Sequence, residues 1–181
     1  MKRQHIFSLS SVVSAGFALF IAALFSSVSL SAAEDARLYR EAADRAAIEQ
    51  LAYRYIHALD TRDADLYVSV FTEDAVYDIE GQIVEGHDAL RDIITGLQAS
   101  RDRAIAEGRT PVDLYHSNLN PMIDFVSDTE ATFQAYWQTL RLGDDNAMRI
   151  GGMGIIRDTV VKVEGEWKIK KRVLTNFIER Q

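Results

Sequence analysis

The spacing of apolar residues predicts that the first half of the chain is helical. Between Asp44, a candidate N-cap, and about Asp60, apolar residues recur every three or four positions, which places them on one face of a helix. Asp63 is a second candidate cap, for a short helix that reaches Phe71 and is followed by a turn at 72–74. A third helix is predicted over about 87–100. The face of the first helix carries Ile48, Leu51, Ala52, Tyr55 and Leu59.

Alternating apolar and polar residues predict that the second half is a sheet. A small hairpin lies among the helices, at 75–79 and 82–85, and a polar stretch at 101–111 indicates a loop or a frayed extension of the third helix. Four strands follow at 115–126, 130–142, 148–163 and 167–178, with a bulge or interruption expected at Pro121. Helices followed by an antiparallel run predict an α+β fold, with three helices packed on one face of a strongly curved sheet.

A glycine cluster on the third of these long strands bears on the curvature of the sheet. Gly151, Gly152 and Gly154 lie close together, and glycine in a strand either permits a bulge and a sharp bend or allows another group to approach closely. A sheet that bends in this way can leave a pocket between itself and the helices. Both interpretations of the glycines remain open from the sequence.

The N-terminus has the layout of a secretory signal peptide. Lys2 and Arg3 precede an apolar run from Val12 to Phe25, and small residues follow it up to Ala33. We expect cleavage after Ala33, with Ser31 as the alternative, so that residues 1–33 are a signal peptide and 34–181 are one domain in the bacterial periplasm or outside the cell. The other interpretation is an uncleaved anchor, but the run is shorter than the ~20 residues of a spanning helix.

Composition excludes several classes of partner and of chemistry. The formal net charge is −7, and it becomes −9 without the two cations of the signal peptide, so we expect no binding to nucleic acid and, after cleavage, none to membranes. The chain has no cysteine, which rules out disulfides, thiol catalysis and thiolate ligands. The histidines have no ligand spacing, and no glycine-rich phosphate loop or nucleophile elbow is present. We therefore predict no metal and no cofactor.

Asp60 and His116 are the candidate pair for catalysis. Asp60 ends the first predicted helix, where a negative charge faces the negative end of the helix dipole and is mildly unfavourable. If the fold brings His116 to this carboxylate, the result is an oriented imidazole that can act as a general base. The alternative is that His116 is a polar strand residue whose hydrogen bonds are satisfied by Asn118 or by the backbone.

The whole predicted domain resembles a known family. The stretch "AIEQLAYRYIHALDTRDADLYVSVFTEDAVYDIEG" and the ending "GGMGIIRDTVVKVEGEWKIKKRVLTNF" are similar to the SnoaL-like proteins of the nuclear transport factor 2-like superfamily, from about Ala43 to Phe177. The resemblance implies a cone-shaped α+β barrel. That fold hosts dehydratases, isomerases, epoxide hydrolases, cyclases and binding domains, so fold alone does not determine the activity.

The resemblance extends to individual site residues. Scytalone dehydratase, hexachlorocyclohexane dehydrochlorinase and bile-acid 7α-dehydratase carry an aspartate at the first helix end and a histidine on the first long strand, which match Asp60 in "HALD" and His116 in "YHSNLN". The last two enzymes also use an arginine in the final strand, which corresponds to Arg172, and the bile-acid enzyme has a tyrosine at the position of Tyr55. The dehydrochlorinase has a lysine there. The two dehydratases have an acid–base residue on the next strand, where this chain reads Tyr-Trp-Gln at 136–138.

Arg172 and the other candidate pocket residues each have an alternative interpretation. If Trp167 and Ile169 face the core, strict alternation turns Arg172 outward, and only a bulge near Lys171 would turn it inward. Tyr55 is either a pocket residue or a core aromatic. The other candidates for the pocket are core or edge residues in the alternative interpretation; they are Tyr77, Asn118, Asn120, Phe133, Trp137, Met153 and Phe177.

These residues predict a cofactor-independent lyase or isomerase, similar to a dehydratase, that acts on a hydrophobic small molecule. His116 and Asp60 would abstract a proton from carbon, and Arg172 or Tyr55 would stabilise negative charge. The absence of an acid–base residue near Gln138 supports an alternative, a periplasmic protein that binds a small molecule without turning it over. A third interpretation is a dimerisation module. The resemblance implies a homodimer or homotrimer in any of these cases.

Overall fold

A computed structural model describes the backbone of residues 10–143 and 147–177, and the side chains of residues 32–143 and 147–177. The chain divides into two units, Met1–Ala43 and Asp44–Gln181, and every candidate site residue belongs to the second. Most of the predicted signal peptide and the tip of the turn at 144–146 lie outside the described side chains, so export stays a prediction. No helix in the described part of the chain combines the length and the apolar character that a membrane span needs.

Three helices form where the apolar spacing predicts them, but their ends differ from the prediction. They are α1 (Ser10–Thr61), α2 (Ala64–Ser69) and α3 (Gly86–Ala106). Asp63 caps α2 by accepting a hydrogen bond from the backbone N–H of Leu66 at 2.9 Å, as expected. Of the two alternatives for residues 101–111, the helical extension applies as far as Ala106, since Ala104 is buried and adds one further turn of apolar contact to α3.

Asp44 is not a helix cap. The helix α1 continues through this position, because nothing in the local sequence breaks it. The Asp44 carboxylate instead accepts hydrogen bonds from Lys162 Nζ at 2.6 Å and from the indole nitrogen of Trp167 at 2.9 Å. The residue that local pattern assigned to a helix end therefore ties α1 to two strands that lie more than a hundred residues away.

Six strands form one curved sheet. They are β1 (Phe71–Ile79), β2 (Gln82–Glu85), β3 (Tyr115–Ser127), β4 (Glu130–Leu142), β5 (Met148–Val163) and β6 (Glu166–Asn176), in the spatial order β2-β1-β6-β5-β4-β3. All neighbours are antiparallel except β1 and β6, which are parallel. Residues 71–74, predicted as a helix end and a turn, belong to β1 because Phe71 pairs with Ile169 of β6. The predicted fold class, helices packed on a mostly antiparallel curved sheet, is confirmed.

Two bulges change which side chains face the helices. In β3, Asn120 and Pro121 together oppose a single residue of β4, as the proline predicts, and Asn120 adopts a left-handed conformation with φ of +52°. In β6, Lys170 is the extra residue, so that Lys170 and Lys171 are both exposed. The alternation after Lys171 is therefore reversed, and Arg172 points inward as a bulge at this place predicts.

The core lies between the helices and the concave face of the sheet. Its aromatic centre is formed by Tyr55, Tyr67 and Phe71, whose ring centroids lie 5.3–5.9 Å apart in tilted and edge-on arrangements. Tyr67 and Phe71 are fully buried. Burial raises the pKa of the Tyr67 hydroxyl well above its ordinary value, so this phenol stays neutral. Tyr55 of this cluster also lines the cavity described below.

Both interpretations of the glycine cluster in β5 apply, each at a different glycine. Gly151 is the extra residue of a bulge opposite Thr139 and Leu140 of β4. Gly154 marks a close approach, because a Cβ atom at this position would lie 1.9 Å from the backbone oxygen of Thr175.

Replacing Gly154 by alanine is therefore expected to lower the free energy of unfolding by about 1–3 kcal/mol, since backbone must move to admit the methyl group. Urea denaturation of both proteins would measure this. Gly96→Ala is the matched control, because Gly96 lies in α3 with open space around its Cβ direction, and alanine there is expected to stabilise by about 0.5–1 kcal/mol. Equal stability of Gly154→Ala and the wild type would contradict the close packing.

Candidate active site

Asp60 and His116 are in direct contact. Asp60 lies in the last turn of α1, and His116 lies near the start of β3, where it pairs in register with Thr139. His116 Nδ1 lies 2.5 Å from Asp60 Oδ1, and the backbone N–H of His116 donates to Asp60 Oδ2 at 3.1 Å. The carboxylate therefore holds both the ring and the backbone of the histidine. These hydrogen bonds also satisfy a negative charge that the helix end disfavours.

This arrangement selects one tautomer of the histidine. An ionised carboxylate only accepts hydrogen bonds, so the proton of the neutral ring is on Nδ1 and the lone pair is on Nε2. Both side chains are partly shielded from water, with 24% of His116 and 18% of Asp60 exposed. The pair is thus an oriented base with one free nitrogen.

His116 lines a cavity of about 450 Å³ enclosed by the helices and the concave face of the sheet. The wall is mostly apolar, with contributions from α1, α3 and β1 and from β3 to β6. Leu97 and Leu114 are large apolar residues of this wall that remain substantially exposed, which places them at the mouth. The other apolar wall residues include Ile56, Leu59, Ile79, Trp137, Met153, Ile156 and Leu174. A cavity of this size and character suits a small apolar molecule.

Two tyrosine hydroxyls are paired in the same cavity wall. The hydroxyl oxygens of Tyr55 and Tyr77 lie 3.4 Å apart, and both residues are buried with 7% and 5% of their surface exposed. Burial raises the pKa of Tyr77 well above the ordinary value of a phenol, and the neighbouring Tyr55 adds to this shift. Tyr77 is therefore a neutral hydroxyl that can donate a hydrogen bond to a ligand oxygen.

Arg172 lies behind the tyrosine pair rather than in the cavity wall. Its side chain is fully buried, and its guanidinium donates to both carboxylate oxygens of Asp158, from Nε at 2.8 Å and from Nη2 at 2.6 Å. The guanidinium carbon lies 3.6 Å from the centroid of the Tyr55 ring. Burial alone would lower the pKa of Arg172, but the charge and hydrogen bonds of Asp158 outweigh it and hold that pKa above its ordinary value. Arg172 thus stays charged and positions Tyr55.

The structure places some of the candidate pocket residues in the cavity wall and others elsewhere. Tyr77, Asn118, Trp137 and Met153 line the cavity, as do Tyr55 and His116. Three corrections apply to the rest. Asn120 is exposed, because the bulge in β3 breaks the parity it would share with His116. Phe133 is packed in the core, with 2% exposed, and Phe177 lies past the end of β6, exposed against Tyr136.

Sequence reasoning missed several residues of the site. Thr139 and Gly152 line the cavity, and Thr139 is the residue of β4 that faces His116 across the strands. Strand alternation could have predicted that Thr139 faces inward, since it shares a face with Phe133, Ala135 and Trp137. The pattern could also have predicted a buried partner for Asp158, because this acidic residue lies between the inward positions Ile156 and Val160.

No group of three or more histidine, aspartate or glutamate side chains within residues 32–143 and 147–177 is arranged to hold a metal ion. Proton transfer by the Asp60–His116 pair and hydrogen bonding by the two tyrosine hydroxyls are two kinds of chemistry that the cavity wall offers, beside the carboxylate of Glu80. Neither requires a redox group or a Lewis acid.

Known proteins share this fold and part of this sequence. The "Terrestric acid biosynthesis cluster protein E" of Penicillium crustosum is 31% identical over 134 residues, which cover 70% of this chain and 79% of the fungal protein. The structure of a "Putative Scytalone Dehydratase" from Novosphingobium aromaticivorans is 27% identical, with a TM-score of 0.63 over 77% of this chain and 87% of that one.

LinA, a hexachlorocyclohexane dehydrochlorinase, shares the fold with a TM-score of 0.63 at 21% identity, over 77% of this chain and 90% of its own. Residues 40–173 match the family described as "SnoaL-like domain". The match covers most of the second unit, from within α1 to the middle of β6. The chain therefore belongs to the SnoaL-like, nuclear transport factor 2-like family, which includes dehydratases and isomerases.

Proposed function

We propose that this chain is a cofactor-independent lyase or isomerase, dehydratase-like, that acts on a hydrophobic small molecule. The observation that carries the proposal is the contact of 2.5 Å between His116 Nδ1 and Asp60 Oδ1 at the wall of an apolar cavity. We propose further that the enzyme works outside the cytoplasm, on the strength of the signal-like N-terminus. The family supports the general class, since it includes dehydratases and isomerases.

The first chemical step is removal of a proton from carbon. His116 Nε2 takes the proton from a carbon next to a carbonyl group, and Asp60 stabilises the imidazolium that forms. The negative charge moves to the carbonyl oxygen, where the hydroxyls of Tyr55 and Tyr77 donate hydrogen bonds. General-base assistance of this kind contributes ~10²–10⁴-fold, and the tyrosine pair supplies further stabilisation of charge in the transition state.

The second step needs a proton at a different atom, and His116 in the cavity wall is one group that can deliver it. The residues of β4 at 136–138 include no acid, and Thr139 is the residue opposite His116. The imidazolium of His116 can itself give its proton to the leaving hydroxyl group. The carbon–oxygen bond then breaks, water leaves, the double bond forms, and His116 returns to its neutral state. Return of the proton to another carbon gives isomerisation instead.

The shape of the cavity supports a compact apolar substrate with one or two oxygen groups. About 450 Å³ accommodates a fused-ring or short-chain molecule, and the polar groups in the wall are few. His116 and the tyrosine pair belong to different wall elements, so the substrate must present its acidic carbon and its carbonyl oxygen to separate sites. We therefore expect ring compounds with a β-hydroxy carbonyl unit to be turned over.

A binding protein without turnover is the second candidate. Thr139 opposite His116 cannot serve as an acid, whereas a ligand-binding cavity needs no such group. In a binding protein, the ligand would occupy the same cavity beside the hydroxyl pair, and Asp60 and His116 would serve as its hydrogen-bonding partners.

Incubation with a panel of hydroxylated steroids and β-hydroxy carbonyl ring compounds in D₂O would distinguish the two candidates. An enzyme is expected to release a dehydrated or isomerised product, or to exchange the proton next to the carbonyl for deuterium, and mass spectrometry detects both. Recovery of a tightly bound ligand without reaction or exchange would overturn the catalytic proposal and favour the binding protein. His116→Ala is the control that shows whether any exchange depends on the proposed base.

A further inference from the structure

A second, smaller cavity of about 220 Å³ adjoins the main one beside the catalytic histidine. The two cavities share four wall residues, Leu59, Leu97, Leu114 and His116. The two cavities are therefore neighbours, and His116 belongs to the wall of both. The chemistry of the smaller cavity differs sharply from that of the main one.

Arginine side chains dominate the polar part of the smaller cavity. Arg62 comes from the end of α1, Arg101 from α3, and Arg109 from the segment that joins α3 to β3. Among the described residues that line this cavity, none is an aspartate or a glutamate. Three cations thus meet at one place in a chain whose formal net charge is −7.

Asp113 holds two of these arginines in position without neutralising both. Its Oδ1 atom accepts a hydrogen bond from Arg62 Nη2 at 2.7 Å and another from Arg101 Nη1. The hydrogen bond from Arg101 lowers the pKa of Asp113, with Arg62 adding to the effect, so this carboxylate stays ionised in neutral solution. Two positive charges therefore share one negative charge.

The two held arginines are suited to bind an anion. Only 18% of the Arg62 side chain is exposed, so its charge is less screened than that of a surface residue, whereas Arg101 lies nearer the surface, with 32% of its side chain exposed. Each guanidinium has five N–H donors, and Asp113 occupies a single nitrogen of each in the described contacts. Arg109 is more exposed and is paired with Glu107, so it contributes less.

We propose that Arg62 and Arg101 form a binding subsite for a carboxylate or another anionic oxygen group. The ligand of this protein would then be an amphipathic anion, with an apolar ring body in the main cavity and its charged group past His116. The inference deepens the proposed function, because it names the class of substrate for the same site. The charged group also orients the body relative to the Nε2 atom of His116.

Two fluorescent probes that differ by one sulfonate group test the subsite on the full-length chain. They are 8-anilino-1-naphthalenesulfonate and N-phenyl-1-naphthylamine, which is the same molecule without the anion. The anionic probe is expected to bind the wild type more tightly than the neutral one. Arg62→Gln and Arg101→Gln are each expected to weaken the anionic probe by about tenfold and to change the neutral probe by less than about twofold, because only the charge-assisted bonds are lost.

Arg91→Gln is the matched control, since Arg91 lies on the same helix as Arg101 and pairs with Asp65 on the surface. It removes the same charge and is expected to leave both probes unchanged. Three results would overturn the subsite: equal weakening of both probes, an equal effect of Arg91→Gln, or binding of the anionic probe to the wild type no tighter than that of the neutral probe. The experiment measures binding rather than turnover. If the protein turns over no compound but still discriminates the two probes, the proposed function is refuted and the subsite is supported.

Discussion

Replacing His116 by alanine is expected to lower kcat for the elimination or isomerisation by ~10²–10⁴-fold, which is the usual contribution of a general base. KM is expected to change little, because the apolar wall and the tyrosine pair remain. Asp60→Asn should produce a comparable loss by a different route. An amide can donate to Nδ1, which moves the proton of the ring to Nε2 and removes the lone pair that accepts the proton of the substrate.

The two variants act on one unit, so the double variant is expected to lose little more than either single variant. His57→Ala is the matched control, since His57 is exposed on the same helix as Asp60. Steady-state kinetics on a compound identified from the panel would measure all four proteins. Activity of His116→Ala within a few-fold of the wild type would exclude His116 as the base, even if the substitution also changed the stability of the protein.

The second large effect concerns stability rather than catalysis. Asp158→Asn is expected to lower the free energy of unfolding by about 3–5 kcal/mol, because it leaves the charge of Arg172 fully buried without its counter-charge. The Nη1 atom of Arg172 already has no hydrogen-bond partner in the described structure. Chemical denaturation with guanidinium chloride would measure the loss, and activity should fall as well, since Tyr55 stacks on this guanidinium.

A double variant separates the loss of the ion pair from a general defect of the core. Replacing both partners, by Arg172→Met and Asp158→Leu, is expected to recover most of the stability, because no buried charge remains. Asp65→Asn, which breaks the exposed pair with Arg91, is the surface control and should have little effect. A loss below about 1 kcal/mol in Asp158→Asn would contradict the picture of a buried, uncompensated cation.

Burial and the bound partner explain why Asp60 and Asp158 differ in expected role. Asp60 is partly exposed at the edge of a cavity and binds a titratable ring, so its replacement changes proton transfer. Asp158 is almost fully buried and binds a permanent cation, so its replacement changes folding. The two residues are both carboxylates in hydrogen bonds, and only burial and partner distinguish a catalytic role from a positioning one.

Local pattern predicted the parts of the fold that depend on neighbours in sequence. The apolar face from Ile48 to Leu59, the cap at Asp63 and the strands of the second half follow from spacings of three, four and two residues. The bulge at Pro121 also has a local cause, a missing backbone donor, whereas the bulge near Lys171 was expected only because the family resemblance places Arg172 in the site. Errors occurred where a partner is distant, as for Asp44 and for residues 71–74, which are held by β5 and β6.

The site shows the same division. Sequence similarity pointed to Asp60, His116, Tyr55 and Arg172, and apolar character made Trp137 and Met153 candidates for either the core or the cavity wall. Periodicity states which face a side chain occupies, and it carries no information about which other side chain it meets. The Asp158 partner of Arg172 and the hydroxyl pair of Tyr55 and Tyr77 therefore remained hidden until the strands were placed side by side.

By itself, the sequence determined the class of fold, the order of its helices and strands, and the presence of a carboxylate at a helix end and a histidine on a strand. Only the tertiary structure decided that these two groups touch, that the arginine supports a tyrosine instead of facing the cavity, and that a cluster of cations adjoins the histidine. The physical reason is that secondary structure follows from short-range sterics and the burial of one face, whereas chemistry depends on distances of a few ångströms between residues of different helices and strands.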